Sequence, residues 1–326
     1  MDHDHDDVEF AAELPEVELR NLAIPVSAHG QRLDKTLALM VPEFSRSYLQ
    51  QLIIAGAVQI NAATLTKASI HVKAGDALVI ELTPTAQSQA FKPELMALDV
   101  VYEDEHLLII NKAAGLVVHP APGNWSGTLL NGLLARDNQA RLLPRAGIVH
   151  RLDKNTSGLM VVARTRQTMD QLVRMIAERS VGRHYIALAH HQWEGTKTRH
   201  VNLPIGRDPK NRLRMAVVDL DRHPGKSAAT DIHFLQNGLN HCLLLCKLQT
   251  GRTHQIRVHM AAIGHSLVGD AVYGGAPAGD LQRQALHAVK LIFEHPATGT
   301  KLVFNCPLPQ DLLDTLDGVG LNYNAE

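Results

Sequence analysis

The 326-residue chain has no apolar run near the ~18–20 residues that a membrane span requires. Its opening, "MDHDHDDVEF", is acidic where a signal peptide would be basic and then apolar. Both absences predict a soluble protein, free of membranes, that stays in the cytoplasm. Cysteine is scarce: Cys242, Cys246 and Cys306 are the three, and no C-x-x-C pair occurs. That disfavours a disulfide framework and a thiolate zinc site. There is no G-x-G-x-x-G and no P-loop, and after residue 96 strand-like and helix-like stretches alternate without a regular βαβ repeat. The expected fold class is therefore α+β, a mixed, mostly antiparallel sheet with flanking helices.

Net charge is also nearly absent, at −1, which spread evenly would argue against a nucleic-acid partner. It is not spread evenly. Residues 1–20 hold eight acids against Arg20 alone, which leaves 31 bases and 25 acids for the body. Within residues 141–185, Arg141, Arg145, Arg151, Lys154, Arg164, Arg166, Arg174, Arg179 and Arg183 face only Asp153, Asp170 and Glu178. Such a patch suits a surface that meets phosphates. A solvated helix face is the plainer account of Arg174 and Arg179, but Arg151 and Lys154 lie in a turn.

Four segments are expected. Residues 1–20 read as an acidic disordered tail, in which His3 and His5 could hold a metal only weakly. Residues 21–85 form a small α+β unit. There Leu33, Leu37 and Met40 take helical spacing, and "SRSYLQQLIIAG" opens at an N-cap, Ser45, and stops at Gly56. Two short strands, "AVQINA" and "DALVIEL", follow on either side of a turn carrying Lys67 and Lys73. Arg32, Lys35, Arg46 and Lys67 on the outside would make this an RNA-binding module. Residues 86–95 are a polar, proline-bearing linker, and 96–326 a large domain.

In the large domain "DVVYEDEHLLIINKAAGLVVHP" predicts two strands around a turn at Glu105 and His106. "GIV" and "LMVVA" predict buried strands bracketing the turn "HRLDKNTSG". Met169, Leu172, Val173 and Ile176 predict an amphipathic helix capped by Thr165. "RHYIALAH" and "HCLLLCKLQ" read as strands, with Cys242 and Cys246 on one core-facing side. Further on, Ile256, Met260 and Ile263 predict a helix capped by Thr253 and stopped by Gly264. Gly251, Arg252 and His254 would lie at its positive end, ready for a phosphate or carboxylate, with Arg257 one turn on and able to meet an acid. His254 and His259 are badly spaced for one metal and no third ligand is evident, so structural hydrogen bonds are expected of them and no metal site.

Asp153 is the sharpest candidate. Cationic neighbours and the donors of its turn favour the ionised carboxylate, suited to a nucleophile or base rather than a proton donor. The bland account is an Asx-type turn whose carboxylate binds only local N–H groups. By themselves the residues leave two readings open, a phosphate-binding enzyme and an RNA-binding protein.

The pattern R-L-D-K-x-L followed by S-R-S-x-x-Q-x-L-I-x-x-G-x-V-x-I-N resembles the RNA-binding domain first seen in ribosomal protein S4. "HRLDKNTSGLMVVART" resembles the signature of the RluA-type pseudouridine synthases, and "TGRTHQIRVHMAAIGHSLVGDAVYG" and "RQALHAVKLIFEHP" resemble that family's later motifs, in order. "VYEDEHLLIINKAAGLVVHPAPGN" and "GRDPKNRLRMAV" extend the resemblance, which is strongest to the family's D subtype, acting on large-subunit ribosomal RNA. It covers nearly everything after residue 20.

The resemblance implies an isomerase that detaches a uracil, turns it and rejoins it through carbon, without metal or cofactor. It implies that Asp153 is the essential aspartate, attacking the sugar C1′ or abstracting its C2′ proton. Tyr185 would stack on the target base and is a candidate base late in the reaction. Arg257, or second Arg252, would pair with Asp153, and Leu286 would cover the other face of the uracil. Arg151 would fill the gap left by the flipped nucleotide, with Lys154 beside it on the substrate. The implied partner is large-subunit ribosomal RNA or the assembling subunit, met by a monomer. Arginine at 183, where many relatives carry lysine, and asparagine at 155, where close relatives carry aspartate, depart from the pattern. Two rivals remain, a noncatalytic RNA-binding or assembly factor and a glycosidic hydrolase, which would need a second carboxylate beside Asp153.

Overall fold

The structure, a computed structural model, describes residues 18–42, 44–82 and 88–324. His3, His5 and most of the expected acidic tail lie outside the described residues. The chain divides between Gln89 and Ala90 into two compact units.

In the amino-terminal unit, β1 (Glu18–Ala23) precedes helices α1 (Leu33–Met40) and α2 (Arg46–Ile54), and β2 (Val58–Ile60), β3 (Ala63–Leu65) and β4 (Ala77–Leu82) follow. The sheet is antiparallel, in the order β1-β4-β2-β3. Ser45 caps α2 as expected, its Oγ accepting the Tyr48 N–H, an arrangement worth about 1 kcal/mol. Leu33, Leu37, Leu49, Ile53, Val58, Leu78 and Ile80 join in one buried core. Two expectations are corrected. Residues 18–20, assigned to the tail, pair with β4. "AVQINA" ends as a strand at Ile60, because Asn61 and Ala62 take positive φ (50° and 65°) and turn the chain into β3.

The larger unit opens with the hairpin β5 (Val100–Glu103) and β6 (Leu107–Lys112), then helix α3 (Leu129–Arg136), β7 (Ser157–Ala163), helix α4 (Arg166–Ala177), β8 (Gly182–His190) and β9 (Thr198–Asn202). β10 (Ile205–Arg207), β11 (Met215–Val217) and β12 (Gly225–Lys226) make a small sheet apart. β13 (Ala229–Asn237), β14 (His241–Leu248), α5 (Gln255–Ala262), β15 (Leu286–Glu294), β16 (Lys301–Asn305) and α6 (Gln310–Gly318) complete it. The main sheet runs β5-β6-β7-β15-β8-β14-β13-β9, with β16 beside the far half of β15. Among the described residues only β7 and β15 pair in parallel, so the sheet is mixed and mostly antiparallel, as expected.

Both faces of this sheet are covered, which explains its nearly unbroken apolar strands. In β6, Leu108 and Ile110 join α3 and α5 on one face, while Leu107 and Ile109 join Leu172 of α4 on the other. Cys242 and Cys246 sit in the first of these cores, as read from the sequence. Thr165 caps α4 by accepting the Thr168 N–H. "GIV" is not a strand: Ile148 makes an isolated bridge to Val162, and Arg145 and Ala146 just before it take left-handed φ near 53°, which breaks extension.

The parallel pairing positions the site. Ser157, just after the Asp153 turn, lies opposite His287, and Ala288 lies opposite Tyr185 on the other side of β15. The turn, the start of β15 and Tyr185 are thereby neighbours. Gly158 makes this possible, since a Cβ there would stand 2.3 Å from the Ala288 carbonyl oxygen.

Candidate active site

The turn at 151–156 is held from below by buried groups. Lys112, 2% exposed at the end of β6, donates to the carbonyl oxygens of Lys154 (3.1 Å), Leu116 (3.0 Å) and Ala113 (2.7 Å). Burial pulls its pKa down to about 7, against the attraction of Asp153. Arg283 donates to the Asn155 carbonyl (3.2 Å) while both its other nitrogens grip Asp311, and Gln284 donates to Thr156 Oγ1 (3.0 Å). Ser157 Oγ meets His287 Nδ1 at 2.9 Å. A turn fastened at this many points has little freedom, so the Asp153 side chain is pre-organised.

Arg257 reaches Asp153 from α5. Its Nη1 donates to Oδ2 at 3.1 Å, while its Nε and Nη2 donate to Asp270 at 2.7 and 2.9 Å. Its guanidinium lies 5.0 Å from the centre of the Tyr273 ring. Burial opposes the charge on Arg257, but the two carboxylates outweigh it and raise its pKa. Asp153 Oδ1 accepts no hydrogen bond from the described residues, and His254 Nε2 stands 3.9 Å away. Burial lowers the pKa of His254, and its Nδ1 meets the Tyr273 hydroxyl at 2.8 Å. One carboxylate oxygen is thus anchored and the other bare.

Asp153 lines a cleft of about 710 Å³ with His119, Arg145, His150, Arg151, Arg179, Arg183, Tyr185 and Arg252 among others. An adjoining hollow is lined by Arg151, Asp153, Tyr185, Arg252, His254, Arg257 and Leu286. Tyr185 is 4% exposed, and burial pushes its phenol up to about 12, so it is neutral at physiological pH. Six of the seven residues expected at the substrate therefore converge. Lys154 does not line the cleft; it is exposed, and contributes its carbonyl to the Lys112 anchor.

The cap of α5 is corrected: His254 at φ 56°, not Thr253, precedes the helix. The Arg252 N–H is already bound to the Gln255 side chain, so it is not a free donor for an anion. Arg179, read as a solvated helix residue, lines the cleft. His259 is bound to Thr230 and the Leu203 carbonyl, a structural role as expected. Among the described residues no group of three His, Cys, Asp or Glu side chains could hold a metal ion.

In the amino-terminal unit, Asp34 is fully buried and collects Arg32 (3.1 Å), Arg46 (2.6 Å) and Gln50 (2.7 Å). The Arg32 hydrogen bond, followed by those from Arg46 and Gln50, holds its carboxyl far below the usual range despite burial. Both guanidinium groups stay partly exposed, and Lys35 and Lys67 are exposed as well.

Asp34, Lys112, Asp270, Arg283 and Gln284 escaped the sequence reading. Asp270 had a signal, since it lies in the quoted stretch "SLVGDAVYG" and Arg257 was expected to meet an acid. Asp34, Lys112, Arg283 and Gln284 also lie in quoted stretches, but no acid, carbonyl or turn was expected to meet them.

Known proteins match the same residues. The RNA pseudouridylate synthase family profile matches residues 106–262, and the S4 domain profile matches 31–78. The ribosomal large subunit pseudouridine synthase D of Neisseria meningitidis serogroup B is 45% identical over 98% of this chain and 87% of its own. The chain belongs to the RNA pseudouridylate synthase family. The Escherichia coli K12 protein of the same name is 42% identical over 88% of this chain and 90% of its own. A solved human RNA pseudouridylate synthase domain-containing protein 1 aligns with TM-score 0.52 and 28% identity, covering 65% of this chain and 84% of that one. This pseudouridylate synthase thus couples an S4 domain to the family's catalytic sheet.

Proposed function

We propose that this chain isomerises uridines of large-subunit ribosomal RNA to pseudouridine, with Asp153 as the catalytic carboxylate. The observation that carries the reading is the split environment of that carboxylate. One oxygen is fixed by Arg257, which Asp270 clamps, the other accepts no hydrogen bond from the described residues, and Asp153 shares a hollow with Tyr185 and Leu286. The names of the Neisseria and Escherichia relatives supply the substrate class.

A uridine within a stacked strand hides its glycosidic bond, so the nucleotide must flip into the cleft. Tyr185 then stacks on the uracil, Leu286 covers the opposite face, and exposed Arg151 occupies the vacated space. The bare oxygen of Asp153 attacks C1′ or takes the C2′ proton, and either step releases the uracil from its C1′–N1 bond. The uracil turns and C5 bonds to C1′, either as the Asp153–C1′ bond breaks or as Asp153 returns the proton to C2′; the C5 proton then leaves and N1 gains one, so the product is an isomer. Tyr185, neutral to about pH 12, serves as a stacking surface and a hydroxyl rather than a standing base. No cofactor or metal enters these steps. A hydrolase would need a second carboxylate in the cleft, but Asp270, 1% exposed, is spent on Arg257.

The test is tritium release from C5 of labelled large-subunit RNA, with no metal added and a monomer of the full chain. Release that vanishes in Asp153→Asn supports the reading. Absence of release from both free RNA and assembling subunits defeats it in favour of a binding factor.

A further inference from the structure

Among the described residues three buried side-chain polar atoms lack a hydrogen-bond partner, and two belong to residues lining the cleft, Arg183 Nε and His150 Nδ1. Arg183 is 5% exposed, yet no carboxylate or carbonyl of the described residues binds its guanidinium. An unpaired buried cation is costly, and native proteins satisfy such groups or keep them for a ligand. His150 accepts the Val161 N–H at its Nε2 (3.1 Å), so its proton sits on the unpaired Nδ1. Burial, with the Arg183 charge close by, drops His150 to about 3, so the ring is a neutral donor. Gly251 packs close by: a Cβ there would stand 2.8 Å from Arg183 Nη1, so a larger residue would push the guanidinium from its place.

We propose that Arg183 and His150 form a seat for one RNA backbone phosphate next to the flipped uridine. The inference rests on reading the cleft as the uridine site. Arg183 precedes Tyr185 by two residues on β8, so both side chains project from one face, roughly 6–7 Å apart along the strand. That is about the reach from a stacked base through its ribose to a phosphate. The seat offers only donors, which selects an anion with several acceptor oxygens over a uracil carbonyl. A planar guanidinium can bind two phosphate oxygens together.

The test uses the full chain labelled with 15N-arginine, with the Arg183 Nε–H signal identified by its loss in Arg183→Lys. Inorganic phosphate, uridine 5′-monophosphate and uridine are titrated separately. Both phosphates are expected to shift that signal, and uridine to leave it in place. No shift with either phosphate, or an equal shift with uridine, overturns the proposal. In parallel, Arg183→Gln is expected to lower the salt dependence of RNA binding by about one phosphate contact, and an unchanged slope counts against the seat. A phosphate-induced shift without tritium release would keep the anion seat and reject the isomerase reading. Tritium release without the shift would do the reverse.

Discussion

The two units each build a cluster of arginine and aspartate, and they invert its polarity. In the S4 unit a fully buried Asp34 holds two arginines that remain partly exposed. In the catalytic unit a buried Arg257 holds two carboxylates, of which Asp270 is buried and Asp153 faces the cleft. In both, the buried member pays its desolvation through several hydrogen bonds and fixes the geometry of the exposed ones. The sign of the buried charge therefore decides what is presented, cations in one unit and a carboxylate in the other.

The largest break in this comparison is Asp153→Asn. Removing the presented carboxylate should cut turnover by about 1,000-fold or more, with RNA affinity within a few fold, read by single-turnover tritium release and filter binding. Turnover near wild type would remove the central assignment.

Arg257→Met strikes the buried member instead. It leaves Asp270 buried without its cation, so denaturant unfolding should show a loss of about 3–5 kcal/mol, and turnover should fall as well. A variant as stable as wild type would show that the clamp is not what fixes Asp153.

Asp34→Asn is the mirror experiment. The low pKa of Asp34 means that its carboxylate stabilises the fold above the unfolded carboxyl pKa, with that stability lost as pH falls through the folded value. The variant should be less stable near neutrality, and its disadvantage should shrink in strong acid. RNA binding should weaken without loss of turnover at saturating RNA. A loss confined to turnover would contradict the division of labour.

Arg46→Gln removes one presented cation, and should weaken RNA binding by a few fold and reduce the salt slope by about one. The smallest expected effect concerns Tyr185. With its phenol raised to about 12, kcat/KM should show no ionisation of this group between pH 7 and 10. A basic limb in that range that disappears in Tyr185→Phe would restore the standing-base role.

Much of this was legible in the chain. Ser45 and Thr165 announced their helices, because N-caps are local chemistry, and the apolar spacing of Met169, Leu172 and Ile176 needed no tertiary partner to be read. Asp153, Tyr185, Arg257 and Leu286 were found through motifs. "GIV" was misread, because an apolar triplet looks the same in a strand and in a buried irregular segment. The cap of α5 was misplaced, because a left-handed His254 is stabilised by Tyr273, a residue 19 positions on.

The sequence by itself determined the two-unit plan, the starts of α2 and α4, the basic bias around residues 141–185 and the identity of the presented carboxylate, all properties of residue type and short spacing. Only the tertiary structure decided that Arg257 is shared with Asp270, that Lys112 and Arg283 hold the Asp153 turn, that Lys154 gives a carbonyl rather than its charge, and that Arg183 has no hydrogen-bond partner among the described residues. Each of these depends on which distant groups the sheet brings within hydrogen-bond reach, through the parallel pairing of β7 with β15 and the seating of α5. Burial then decides whether a charge must be answered, and burial is a property of the packed chain.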